Sequence, residues 1–106
     1  MKTVVLDYRQ LQKFSDEKRH HETIWSDEHG KINLLCMKPG QEITTHTHHG
    51  NHTWIVLEGR GEFVSGKDRQ AIDAGKIVIV PPLVDHGIRN ASDANLVIAS
   101  ITAQGD

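Results

Sequence analysis

The chain has a single cysteine, three prolines and few aromatic residues: two Trp, two Phe and one Tyr. One cysteine excludes an internal disulfide, so the fold must rest on packing, as suits a reducing compartment. Within Ile32-Asn33-Leu34-Leu35-Cys36-Met37, Cys36 reads as a small core residue, since no second cysteine accompanies it for redox work. An excess of one charge is also missing. Twelve Lys and Arg against fourteen Asp and Glu leave a net charge of −2, and the basic residues are scattered, which excludes the footprint of a nucleic-acid binder. No apolar run approaches membrane-spanning length, and the apolar stretch of Met1-Lys2-Thr3-Val4-Val5-Leu6 is too short for a secretory signal. The expectation is a soluble, cytoplasmic protein with neither a nucleic-acid nor a membrane partner. A chain of 106 residues has room for one core and not for two.

Histidine, by contrast, is abundant. Four of the eight fall in His46-Thr47-His48-His49-Gly50-Asn51-His52. An expression tag would be contiguous and terminal, whereas this cluster is interrupted, internal and followed by the apolar run Trp54-Ile55-Val56-Leu57. Imidazole is the commonest metal ligand, and residues two apart in a strand share a face, so His46 and His48 can serve one ion. Were the strand to run straight on, His52 would lie roughly 13 Å beyond His48, out of reach. The spacing therefore predicts a hairpin with His49-Gly50-Asn51 as its loop, His48 opposite His52 and His46 opposite Trp54. His49 then belongs to the turn, facing solvent or supporting a ligand, and His20, His21 and His29 read as surface residues.

From about Lys31 onward, short Val- and Ile-rich segments alternate with turns. The predicted strands are 32–38, 43–48, 53–57, 62–65, 69–72, 76–80, 86–89 and 96–102. Pro39-Gly40, Glu58-Gly59-Arg60-Gly61, Ser65-Gly66-Lys67-Asp68, Asp73-Ala74-Gly75, Pro81-Pro82 and Asn90-Ala91-Ser92-Asp93 separate them. Many short strands of this kind suggest an all-β sandwich or barrel, which protects its edges by closure. Residues 1–30 differ. Tyr8, Leu11 and Phe14 have helical spacing after a candidate Asp7 cap, and 21–25 reads as a strand, so this stretch is expected to be an arm that packs on the 31–106 barrel or on a partner.

Downstream, the apolar strand Ile77-Val78-Ile79-Val80 runs into Pro81-Pro82, after which His86 opens another segment. Closure of that segment against the histidine cluster would bring a fourth imidazole to the site. In these two regions the chain resembles the cupin superfamily, a double-stranded β-helix or jelly-roll barrel. The first cupin motif is matched by Gly40, His46, His48 and Gly59, with His52 where a carboxylate is usual. The second is matched by Gly75, Pro81, His86 and Asn90, with Leu83 replacing an inner glycine. The resemblance covers residues 31–102 and implies one metal per chain held by His46, His48, His52 and His86.

Replacing the carboxylate by His52 has a chemical consequence. Four neutral imidazoles leave a dication's charge uncancelled, and nitrogen ligation suits Fe, Mn, Ni, Cu, Co or Zn rather than Mg or Ca. An octahedral ion would keep two positions for water or a bidentate anion, which makes a small anionic organic molecule the expected ligand. By strand parity Trp54 and Val56 follow His52, while Ile88 and Asn90 follow His86, so the pocket is expected to be largely apolar. Trp54 reads equally as core filling. Asp85 and Arg89 have the parity opposite to His86, and no side-chain base stands out. The leading reading is a metal-dependent oxidoreductase of dioxygenase type. A non-enzymatic binding or sensing barrel and a metal-dependent isomerase or lyase are the alternatives, since one fold carries many chemistries. Small cupins resemble one another in pairing through their sheets, which implies a homodimer.

Overall fold

The computed structural model describes residues 3–103. Among these residues nine strands form two antiparallel sheets. The larger contains β1 (His20–Ser26), β2 (Gly30–Met37), β9 (Leu96–Ala103), β4 (His52–Glu58) and β7 (Ile77–Val80), in that spatial order. The smaller is ordered β3 (Glu42–His46), β8 (His86–Arg89), β5 (Arg60–Ser65) and β6 (Asp68–Asp73). Each strand predicted from Lys31 onward is present, with ends shifted by at most two residues.

The predicted hairpin is not. β3 pairs with β8 in the smaller sheet, whereas β4 pairs with β7 and β9 in the larger, so residues 47–51 cross from one sheet to the other. The partner of His46 is His86, and His52 faces Val80 and Thr102; neither His48–His52 nor His46–Trp54 is a cross-strand pair. Gly and Asn in the loop permit a hairpin but equally permit a crossing. What decides is burial: Trp54 and Val56 are each 1% exposed, and β4 needs a paired neighbour on both sides to hide them.

Alternation along the strands builds the interior. Leu35 and Met37 of β2, Leu96 and Ile98 of β9, Trp54 and Val56 of β4, Ile72 of β6 and Ile88 of β8 form one buried cluster between the sheets, with Ile43, Phe63 and Val78 against it. Residues of the other parity point outward. Leu34, Cys36 and Val97 are nonetheless buried, because Tyr8, Leu11 and Phe14 lie over them with Ile24 and Leu57. Cys36 is thus a core residue, and burial raises its thiol pKa, leaving it a poor nucleophile. The predicted helical turn at the N-terminal end is a single 3-10 turn, Tyr8–Gln10, whose N-cap Asp7 accepts from the Arg9 N–H. β1 lies inside the stretch read as an arm and is one of the two edge strands of the larger sheet.

Two motif positions have a visible backbone reason. Gly59, between β4 and β5, has φ +81°, and a Cβ there would stand 2.1 Å from the Asn95 carbonyl oxygen. Leu83, where the motif usually has glycine, keeps the left-handed backbone (φ 64°), and among the described residues it is the only non-glycine to do so. Its N–H donates to the His48 carbonyl at 2.8 Å, pinning the loop of one motif to the loop of the other. No helix among the described residues is long and apolar enough to cross a membrane.

Candidate metal centre

The register of the larger sheet sorts its inward side chains into rows. Lys31, Thr102, His52 and Val80 form one row; Asn33, Ser100, Trp54 and Val78 the next; Leu35, Ile98 and Val56 a third. Polarity falls from the first row to the third, so the interior is polar at one end and closed by hydrocarbon at the other. From the smaller sheet, His46 and His86 face each other across β3 and β8 at the polar end, while Ile43 and Ile88 pair one step deeper.

Four imidazoles meet there. Ligand-capable nitrogens of His46, His48, His52 and His86 all lie within 4.8 Å of one another, with His52 and His86 buried and His46 and His48 half-buried. Ring centroids are separated by 4.4–6.1 Å. The residues fit a transition-metal ion on two grounds. The Nδ1–H of His46 donates to the Thr44 carbonyl at 2.9 Å and that of His86 to the Val84 carbonyl at 2.8 Å, which leaves each Nε2 as a lone pair. His52 Nδ1 stands 2.8 Å from His86 Nε2. Two nitrogens bound at right angles to one ion, each at about 2.1 Å, would be about 3 Å apart.

The orientation of His52 follows from its other nitrogen. Nε2 lies 2.5 Å from Ser100 Oγ, so Nδ1 is the atom turned to the cluster. Without metal, a proton on Nδ1 can bridge to His86 Nε2 while the Ser100 hydroxyl donates to Nε2. For both inward nitrogens to offer lone pairs, the His52 proton must sit on Nε2, where Ser100 Oγ accepts it. A hydroxyl serves either direction. Burial holds the His86 pKa below the ordinary imidazole range, and the charges of His46 and His48 push the same way; the bond to the Val84 carbonyl and the charge of Asp85 oppose them. The lowered pKa favours the neutral ring, the form a ligand requires.

A cavity of about 210 Å³ opens onto the cluster between the β1 and β3 edges. Trp54 lines it, but Val56 and Ile88, expected in its wall, do not; each is 1% exposed within the core cluster. Asn90 is no wall either. It is fully buried at the far end of β8, with Nδ2 donating to the carbonyls of Met37 and Ala94 and Oδ1 accepting from Ser92. The expectation of a largely apolar pocket is corrected on the other side as well, since Arg19, His21 and Lys31 contribute to the lining. His21, read as a surface residue, is exposed, and partial desolvation at the cavity mouth, then the charges of Arg19, Lys31 and His20, lower its imidazole pKa. The alternation Lys31-x-Asn33-x-Leu35-x-Met37 does show in the sequence which residues share a face with the core, but not that the polar end looks onto the histidines. His49 and His29 are exposed.

The sequence profile described as Cupin domain matches residues 33–102. The chain belongs to the cupin family. Solved structures agree. A Thermus thermophilus protein superposes with a TM-score of 0.87 at 25% identity, covering 93% of this chain and 95% of its own. A Desulfovibrio desulfuricans cupin reaches 0.77 at 30% identity, covering 94% and 95%. A Klebsiella pneumoniae protein with a double-stranded β-helix domain reaches 0.90 at 22% identity, covering 99% and 93%, which speaks for the fold alone. None of the curated proteins matches significantly.

Proposed function

We propose that this cupin is a metal-dependent oxidoreductase of dioxygenase type acting on a small anionic organic substrate. The observation that supports it is the donor set: four imidazoles converge on one point, three of them, His46, His48 and His52, line a solvent-connected cavity, and no carboxylate is among the described residues that line it. A redox-active ion such as Fe, Mn, Ni, Cu or Co would supply electron transfer between substrate and dioxygen there, whereas Zn would act only as a Lewis acid. The chain's own residues do the rest. His46 and His86 are held by backbone carbonyls and His52 by Ser100, and the deeper rows of Trp54, Val56, Leu35 and Ile98 close the site to water. The cavity corresponds to roughly seven water volumes, which favours anions the size of a β-diketone enolate, a catecholate or a short dicarboxylate over flavonols.

Elemental analysis of protein expressed in media of defined metal content, followed by oxygen uptake with those substrates, tests the reading. Stoichiometric metal that is lost in His86→Ala, together with substrate-dependent oxygen consumption, is the expected result. Full metal occupancy without oxygen consumption would move the protein to the non-enzymatic binding class.

The functional unit is proposed to be a homodimer. Ile77, Ile79 and Ile101 on the outer face of the larger sheet are 61%, 67% and 36% exposed, beside the part that Tyr8, Leu11 and Phe14 cover. A second copy laid on this face would hide them. Analytical ultracentrifugation should give a dimer for the native chain and a monomer for Ile79→Lys.

A further inference from the structure

We propose that Arg19 and Lys31 form an anion clamp at the mouth of the histidine cavity, so that the site takes a molecule with two anionic groups, one at the imidazole cluster and one at this pair. The inference rests on the metal-centre reading above and names its substrate class as a small dianion, such as a dicarboxylate with a short spacer. Lys31 shares the first row with His52 and is separated from it only by Thr102. Two strand spacings put the Lys31 and His52 backbones about 10 Å apart, within reach of one small molecule spanning their side chains.

Arg19 approaches from the other side. It precedes β1, and its Nη1 donates to the Glu42 carbonyl of β3 at 3.4 Å, so it straddles the opening between the two sheets. Among the described residues neither Arg19 nor Lys31 has a carboxylate partner, although Lys13, Lys38, Arg60, Arg69 and Lys76 each do. Two unneutralised cations on a cavity without an acid create a field that selects anions.

Two orphaned polar atoms point the same way. Trp54 and Thr102 line this cavity and are 1% and 5% exposed, and behind its surface Trp54 Nε1 and Thr102 Oγ1 have no hydrogen-bond partner among the described residues. The indole N–H can only donate, and a hydroxyl facing an anion does the same. A buried donor without an acceptor is costly, so two of them just behind the wall of a cavity framed by two cations suit a ligand that brings oxygen acceptors within their reach.

The test uses cobalt(II) as the metal probe, read by its absorbance, and succinate against propionate as the anion probes, read by calorimetry. Wild-type protein should bind cobalt, and the loaded protein should prefer succinate to propionate by at least tenfold. Arg19→Gln and Lys31→Gln should each weaken succinate roughly 10–100-fold, the effect of losing a charge-assisted hydrogen bond, with propionate and cobalt affinities unchanged. Arg19→Lys should recover part of the loss, and unchanged thermal melts would show that the variants fold. Equal affinity for the two anions in the wild type, or succinate binding untouched by both substitutions, overturns the clamp. Should cobalt fail to bind, the metal reading falls by itself; succinate titration of the metal-free protein and its two variants then decides the clamp on the same criterion.

Discussion

Replacing Ser100 by alanine should cut the stability that bound metal confers to about half or less, although Ser100 supplies none of the donor nitrogens. Its hydroxyl lies 2.5 Å from His52 Nε2 inside the sandwich, where the residue is 4% exposed, and it accepts the ring proton when Nδ1 presents a lone pair. Losing such an outer hydrogen bond commonly weakens metal affinity about 10–100-fold. At free metal one hundred times the wild-type Kd, binding stabilises the native state by about 2.7 kcal/mol; tenfold weaker binding leaves about 1.4 kcal/mol and hundredfold weaker about 0.4 kcal/mol. For a domain of this size 1 kcal/mol corresponds to roughly 4–8 °C in Tm, so a metal-dependent rise of roughly 11–22 °C should fall to roughly 6–11 °C or less. The assay is a set of paired thermal melts, wild type and Ser100→Ala, each in buffered zinc and in chelator. The chelator arm is essential because the lost hydrogen bond itself removes about 1 kcal/mol. A metal-dependent increment equal in the two proteins would refute the assignment of Nδ1 as the inward nitrogen of His52.

Four further outcomes are expected. Metal should leave as pH drops below roughly 6, because imidazoles must be neutral to bind; titration against a metal-sensitive dye reads this, and retention of all metal at pH 4 would contradict it. In the metal-free protein, desolvation lowers the His21 and His86 pKa values, so the unfolded chain takes up protons first; stability is full above the ordinary imidazole value of about 6.5 and declines as pH falls from there toward the folded values, which urea titrations at stepped pH will register. Gly59→Ala should destabilise by at least about 2 kcal/mol, since a Cβ meets the Asn95 carbonyl at a left-handed φ, and a near-neutral result in denaturant melts would deny that the turn is rigid. Asn90→Ala should cost about 1–3 kcal/mol by taking the buried side-chain donor from the Met37 carbonyl, whereas the Ala94 carbonyl keeps the Ser92 hydroxyl, and metal affinity measured on the folded fraction stays unchanged, as suits a clasp remote from the cavity.

The strands were legible in the sequence because their signals are local. A period of two, with Gly, Pro, Asn and Asp at reversals, places each element from Lys31 onward within two residues of its observed ends. The four histidines were legible for a related reason: side-chain parity and the two motif spacings are properties of short stretches. Pairing is not local. Whether β4 folds back on β3 or crosses to the other sheet depends on which arrangement buries Trp54 and Val56 on one side and pairs the backbone on both, and that is a property of the whole barrel. The wall of the cavity was hidden for the same reason. Val56 and Ile88 have the right parity, yet at their depth it is Leu35 and Ile43, on β2 and β3, that line the cavity, and Arg19, His21 and Lys31 reach it because β1 and β2 extend the larger sheet beyond β9. The sequence alone determined which side chains share a face and which residue types can bind a metal. Only the tertiary structure decided which faces meet, at what depth, and that cations frame the opening, because strand register is settled by contacts between residues far apart in the chain.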